Sequence, residues 1–401
     1  MTQKKICILT ETYYPVIGGG ERQAQALAEG LVNNGFAVIV LTRRSDASLK
    51  KIEWWEQVAV YRLPPVGNGH IKKWGLLLTS LPALIKLRRQ YDLIFVSGFR
   101  VIGLSAVLIS KLLGKACVLK ADSLGEMSGD FFGAGLARLR LSPSSLPFKI
   151  FLWLRNNILR RADSFVAICA DVATELVTHG VNAGIIEKIP NGVDTSRFRP
   201  ICHQEKHQLR RILEIPEQAT IVTFTGRLVS YKGLPLLLRV WREIQRKHQQ
   251  VRLLLVGSGG LDIHNCEAEL RAYVSTNGLQ NSVRFTGSVP NVCEFLQASD
   301  IFVFPTENEA FPLALIEAMA CGLPVISTPV GGVKDILQHK HNGLVVTPRD
   351  FRQLYEALDL LIADRSLSAR LGQVARQTVQ DRYTANNIDR EYAELFAHLV
   401  N

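Results

Sequence analysis

Short β-rich runs alternate with helical patterns along nearly the whole chain, and no other property of the sequence constrains the fold as much. Near the start, the run Lys5 to Leu9 is followed by a helical pattern from about Gly20 to Asn33 and by the run Ala37 to Leu41. Parallel strands need such a crossover, so this is a βαβ unit. Further strands are expected at Leu93 to Ser97, Cys117 to Lys120, Phe165 to Cys169 and Ile185 to Ile189. The polar stretch His203 to Gln208 reads as a linker. The style then repeats, with strands expected at Ile221 to Thr225, Arg252 to Val256, Val283 to Phe285, Ile301 to Phe304, Pro324 to Ser327 and Gly343 to Val346. Helical patterns lie at Leu234 to Lys247, Asn265 to Thr276, Ala310 to Ala320 and Phe351 to Leu361. The expected fold is α/β, with two Rossmann-like doubly wound domains facing a central cleft at the carboxyl ends of their strands.

Length and composition agree with two packed domains. The 401 residues exceed what one hydrophobic core usually supports, and 47% hydrophobic with 21% charged residues excludes a largely disordered chain. The longest apolar stretches, Leu76 to Ile85 and Val101 to Ile109, fall short of the roughly 20 residues that span a bilayer. The N-terminal apolar run, Ile6 to Leu9, is too short for a signal-peptide core, so a cytoplasmic location is expected. Seven cysteines without a Cys-x-x-Cys pair indicate neither a disulfide framework nor a zinc site; each is expected to be a small buried hydrophobe, and no metal is expected.

The net charge of +11 implies an anionic partner. Two segments concentrate it. Residues 68–91 hold Lys72, Lys73, Lys86, Arg88 and Arg89 without an acidic residue, and residues 131–161 hold Arg138, Arg140, Lys149, Arg155, Arg160 and Arg161, again with none. Trp74, Leu76 to Leu78, Phe148, Phe151 and Trp153 lie among these cations, and basic plus apolar is the signature of an anionic membrane surface. The alternative is a pair of helices packed on a sheet with snorkelling cations. The charge is not organised around a recognisable nucleic-acid reader, so no nucleic-acid partner is expected.

Four motifs carry chemistry. Gly18, Gly19 and Gly20 lie between the first strand and its helix, where backbone can approach a ligand and free amides favour an anion, although a tight turn explains them equally well. Gly226 and Arg227 end a strand and Lys232 precedes the next helix; two cations so close suit a diphosphate. Val256, Gly257, Ser258, Gly259 and Gly260 form a second strand-to-glycine turn, for packing or phosphate approach. Glu309 and Glu317 lie eight residues apart around Phe311, Pro312 and Leu313. That spacing turns a helix about 80° beyond two full turns, which lets both carboxylates face one side if Glu309 lies just before the helix.

Taken in order, the glycine-rich first loop, Asn191 to Asp194, the G-R-x4-K-G of Gly226 to Gly233, and Glu309 to Glu317 followed by Ala318 to Val325 resemble glycosyltransferase family 4 over nearly the whole chain. The resemblance implies a GT-B fold and a retaining, metal-independent transfer that needs no cofactor beyond a nucleotide-diphosphate sugar as co-substrate. It implies an acceptor domain over residues 1–198, with a terminal helix 385–401 packing back on it, and a donor domain over 199–384. Arg227 and Lys232 would hold the diphosphate, Glu317 the ribose and Glu309 the donor sugar, with amides of Phe311, Pro312 and Leu313 and the glycines Gly19, Gly20 and Gly226 at the donor. Asn191, Gly257, Gly331 and Gly332 rank second. The acceptor would be a glycan or a lipid-linked molecule in cell-surface polysaccharide or glycolipid synthesis, on the inner face of the membrane.

One position departs from the family. Many members place a histidine after the strand that here reads Cys117 to Ala121, and no histidine occurs between His70 and His179. Asp122, Ser123 and Glu126 stand in that loop instead, with Asp122 the candidate for a catalytic role. The departure keeps open a non-catalytic nucleotide-sugar binder, or a phosphorylase or epimerase on the same fold. Donor base, donor sugar, acceptor and linkage are not legible in the sequence.

Overall fold

The computed structural model describes residues 3–16, 18–67, 70–132, 142 and 144–400, without the side chains of residues 70–73. Arg138 and Arg140 of the second basic segment, and the side chains of Lys72 and Lys73 in the first, lie outside that description. The chain divides into two units, Met1–Gly192 with Ala385–Asn401, and Val193–Thr384.

Unit 1 is built on an eight-stranded sheet of order β3-β4-β2-β1-β5-β6-β7-β8. Its strands are β1 (Lys5–Thr10), β2 (Ala37–Arg43), β3 (Ile52–Trp55), β4 (Val58–Leu63), β5 (Leu93–Ser97), β6 (Ala116–Ala121), β7 (Ser164–Ala167) and β8 (Ile186–Lys188). The central runs, such as Leu93–Ser97 with every residue buried, are apolar because helices cover both faces. Those helices are α1 (Gly19–Asn33), α2 (His70–Lys86), α3 (Gly103–Leu113), α4 (Leu146–Leu159) and α5 (Ala170–Thr178). The hairpin β3–β4, pairing Trp55 with Val58 across a tight turn, is absent from the sequence-based expectation. Its outer strand exposes Ile52 and Trp54, so it lacks the buried apolar run that marks the central strands.

Unit 2 carries a six-stranded, all-parallel sheet of order β11-β10-β9-β12-β13-β14. The strands are β9 (Thr220–Thr225), β10 (Val251–Val256), β11 (Val283–Gly287), β12 (Ile301–Phe304), β13 (Val325–Ser327) and β14 (Leu344–Val345). Its helices are α6 (His203–Ile212), α7 (Leu234–Lys247), α8 (Glu267–Thr276), α9 (Val292–Gln297), α10 (Leu313–Ala320), α11 (Val333–Ile336), α12 (Phe351–Ala363) and α13 (Arg365–Arg382). The last helix, α14 (Ala385–Leu399), belongs to unit 1, where Tyr392 and Phe396 pack on Phe95 with ring centroids 5.5 and 5.4 Å away.

Two expectations are corrected here. Residues 203–208 are not a linker but the start of α6, capped by Cys202 and Glu205 and tied to the sheet by Lys206 and Arg210, each 2.7 Å from Asp300. The segment is polar because charge, more than apolar area, anchors it. Cys202 is exposed for the same reason: its sulfur accepts the Glu205 N–H instead of filling a core, as the six buried cysteines do.

Candidate functional site

In unit 2 the chain passes from β9 to β10 and β11 on one side, then crosses to β12 on the other. Such a switch point leaves a crevice at the carboxyl ends of the two central strands. Gly226 and Arg227 follow β9, and a 3-10 turn over Ser230–Lys232 leads through Gly233 (φ +71°) into α7. Glu309 lies in the loop between β12 and α10.

The ammonium of Lys232 is nearly buried, 2.5 Å from Glu309 Oε2 and 4.9 Å from the centroid of the Phe304 ring. The other Glu309 oxygen accepts the Ala310 N–H at 3.2 Å. Arg227 is largely exposed, forms an ion pair with Asp262, and donates to the Tyr231 hydroxyl at 3.0 Å. The Tyr231 ring lies 5.7 Å from Lys232 Nζ. Burial raises the Tyr231 phenol, Arg227 opposes the rise, and Asp262 and Glu309 add to it. All four charged groups therefore surround one phenol, and the two ion pairs form a single site.

Glycines let the loops of this site touch. A Cβ on Gly257 would fall 2.0 Å from the Gly226 carbonyl oxygen, and one on Gly331 would fall 1.7 Å from that of Glu309. The Gly332 N–H donates to Ala310 at 2.8 Å, so the turn at Gly331 and Gly332 backs the loop that carries Glu309.

Helix α10 begins at Leu313, later than the expected start at Ala310, and Glu309 lies in the loop before it. Glu317, on α10, acts on the thiols of Cys293 and Cys321; hydrogen bonding to Cys293 and burial push the Cys321 thiol up, and Glu317 adds to the shift. Pro312 has no N–H to offer a ligand. Phe311 is buried, its ring 6.0 Å from Tyr383, and in the first turn of α10 the N–H groups of Leu315 and Ile316 already donate to the Pro312 carbonyl.

Unit 1 has its own switch point, between β1 and β5. Gly18 precedes α1 and Gly19 and Gly20 begin it, but the space beside Gly18 is taken by the Glu21 carboxylate, 2.3 Å from where a Cβ would stand. An internal anion thus meets this helix start. At the end of β6, buried Lys120 joins two candidates: its ammonium lies 3.0 Å from Asp122 Oδ1 and 2.9 Å from Asn191 Oδ1. Ser97 donates to the other Asp122 oxygen at 2.6 Å. Ser123 accepts a hydrogen bond from Arg100 and donates to Glu126 Oε1 at 3.3 Å. Glu126 is buried, Arg100 lies 3.1 Å from its Oε1, and its Oε2 has no hydrogen-bond partner among the described residues. Burial pushes its carboxyl up to about 7, against the pull of Arg100. The loop itself is held by Glu175, which accepts the N–H groups of Gly125, Met127 and Ser128 at 2.7, 3.0 and 3.3 Å.

Sequence reasoning passed over Tyr231, Asp262 and Lys120 as site residues. Lys120 has a legible signal, a lysine inside an otherwise apolar buried strand. Asp262 has none, because it meets Arg227 from 35 residues away. No group of three or more His, Cys, Asp or Glu able to hold a metal occurs among the described residues, and no helix among them is long and apolar enough to cross a membrane.

Residues 205–378 match the family model of glycosyl transferases group 1, and residues 17–197 match that of glycosyltransferase family 4. An uncharacterized glycosyltransferase of Methanocaldococcus jannaschii is 24% identical over 98% of this chain and 97% of its own. Among solved structures, sucrose-phosphate synthase of Thermosynechococcus elongatus superposes with a TM-score of 0.81 at 24% identity, covering 99% of each chain. HepE of Anabaena, solved in complex with UDP-glucose, superposes with a TM-score of 0.78 at 21% identity, over 98% of this chain and 100% of its own. The likeness to these structures shows that the fold is GT-B.

Proposed function

The chain belongs to the group 1 glycosyltransferases of family 4, and from that membership we propose that it transfers a sugar, with retention, from a nucleotide-diphosphate sugar to a glycan or lipid-linked acceptor. The observation that carries the donor half is the cluster of Arg227 and Lys232 about Tyr231, each cation held by a carboxylate at the switch point of the unit 2 sheet. Negative charge grows on a diphosphate as the bond to the sugar breaks. Cations already fixed in a partly buried site stabilise that growth without reorganising. On binding, the diphosphate takes over hydrogen-bond donors that Asp262 and Glu309 now occupy. Glu309, so released, accepts from hydroxyls of the donor sugar. We assign the leaving-group charge to these two side-chain cations and to no metal ion.

Lys120, Asp122 and Asn191 are the polar group of unit 1 that we assign to the acceptor, in a location that is cytoplasmic, at the inner membrane face. Cell-surface polysaccharide or glycolipid synthesis is the setting that fits such an acceptor. UDP-glucose is the first donor to test, since HepE has been captured with it. A thermal-shift panel of nucleotide sugars should give one that raises the melting temperature by mass action. Proton NMR of the product should then show the donor's anomeric configuration. No stabilising nucleotide sugar would overturn the donor reading, an inverted product would overturn retention, and turnover that requires free phosphate would identify a phosphorylase.

A further inference from the structure

Helices α2, α3 and α4 of unit 1 lie side by side, with α3 in the middle. Ser80 of α2 donates to Ser105 of α3 at 2.7 Å, and Leu159 of α4 sits against Gly103, 2.9 Å from where a Cβ would stand. Each helix turns a row of apolar side chains to solvent at intervals of three or four residues. Leu78 is 67% exposed, Leu112 70%, Leu146 70% and Trp153 61%. Of the 17 large hydrophobic residues exposed among the described residues, nine fall on these three helices. Scattered exposed apolar groups need no explanation, but a contiguous patch marks an interaction surface.

The same helices contain no aspartate or glutamate. Lys86, Lys111 and Lys149 stand on them, Lys111 in a half-exposed ion pair 2.6 Å from Asp163, which precedes β7, and Arg88 and Arg89 follow α2. We infer that α2, α3 and α4 form one docking face for an anionic bilayer, apolar side chains entering the headgroup boundary and the lysines meeting lipid phosphates. A second copy of the chain fits worse, because pairing the face with itself would set Lys86 and Lys149 against their own copies, and the carboxylate at the face, Asp163, is already taken by Lys111. The inward side of α4 also carries Arg155, which donates to the carbonyl oxygens of Arg100 at 2.9 and 2.7 Å and of Glu126 at 2.7 Å. One helix thus joins the docking face to the loop of Asp122, Ser123 and Glu126. The proposal rests on the transferase reading only in its consequence, that the acceptor is presented at the bilayer.

The test is cosedimentation of the full chain with vesicles of equimolar phosphatidylcholine and phosphatidylglycerol, and with phosphatidylcholine alone. Binding is expected to the anionic vesicles, to weaken as salt rises, and to fall at least about tenfold in the double variant Leu112→Glu, Trp153→Glu. Lys111→Gln with Lys149→Gln, which leaves the apolar face intact, should lower binding to the anionic vesicles only. Absence of binding by the wild type, equal binding by both double variants, or a wild-type dimer that the glutamate variant dissociates would overturn the proposal. A chain that binds nucleotide sugar but no vesicles sinks the docking face and leaves the transferase reading standing; one that binds vesicles but no nucleotide sugar does the reverse.

Discussion

Lys232 and Glu309, 77 residues apart in sequence, meet in an ion pair of 2.5 Å beside the Phe304 ring, at the ends of two adjacent strands of one sheet. If the lysine serves the leaving diphosphate and the glutamate the sugar, neither can be replaced by a neutral group without loss. Lys232→Ala and Glu309→Ala should each lower kcat by about 10²–10³, the range for removing one preorganised stabiliser of transition-state charge. Steady-state kinetics decides it, and activity within a few-fold of wild type in either variant would remove that residue from the machinery.

Arg227 and Asp262 form the second pair, at the exposed edge of the same site. Asp262 competes with a phosphate for the guanidinium. Asp262→Asn should therefore tighten the binding of free nucleoside diphosphate severalfold, and Arg227→Ala should weaken it. Calorimetry of both variants tests the competition, and a Kd unaffected by Asp262→Asn would show that the pair persists in the complex.

Gly331 has φ +50° and sits against the Glu309 carbonyl. Gly331→Ala must move that loop, because a Cβ cannot stand 1.7 Å from an oxygen. The variant should keep its circular dichroism spectrum, lose about 1–3 kcal/mol of stability to backbone strain, and lose most of its activity. Full activity would mean that the loop can shift without misplacing Glu309.

Asp389 on α14 is buried against Gly30 of α1, and its carboxyl is pushed up to about 7, first by burial and then by the charge of Glu29. A raised carboxyl pKa means that the folded state holds its proton more tightly. The stabilisation is complete below pH 3.8, the ordinary value, and is lost as pH rises through about 7. Asp389→Asn should flatten the fall in melting temperature between pH 5 and pH 8, and thermal scans across that interval measure it. An unchanged slope would place the ionisation elsewhere.

Asp300 receives Lys206, Arg210 and the Ile221 N–H, each at 2.7 Å. Asp300→Ala leaves two cations of α6 without their carboxylate and should cost about 3 kcal/mol, read as a shift in the urea midpoint of unit 2. A loss below about 0.5 kcal/mol, the scale of an exposed pair, would show that α6 is held by its apolar contacts and by the carbonyls that Lys206 and Arg210 also reach.

Much of this architecture is legible residue by residue. Ile301–Phe304 and Leu234–Lys247 follow from local pattern, since a buried run and a 3.6-residue period each report the backbone that forms them. Arg227, Lys232 and Glu309 stand out for their spacing around glycines. Strand β3 and helix α6 do not stand out, because one is an exposed edge and the other is anchored by Asp300, some 90 residues away.

The sequence by itself determined the alternating α/β character, the family, and the residue types of the donor loops, all properties of short stretches of chain. Tertiary structure alone decided that Asp262 answers Arg227, that Lys120 gathers Asp122 and Asn191, that Glu317 stands near Cys293 and Cys321, and that three separate acid-free helices make one face. Each of these depends on which loops and helices the strand order sets side by side. Charge and burial act through space, between groups whose distance along the chain carries no information about their distance in the fold.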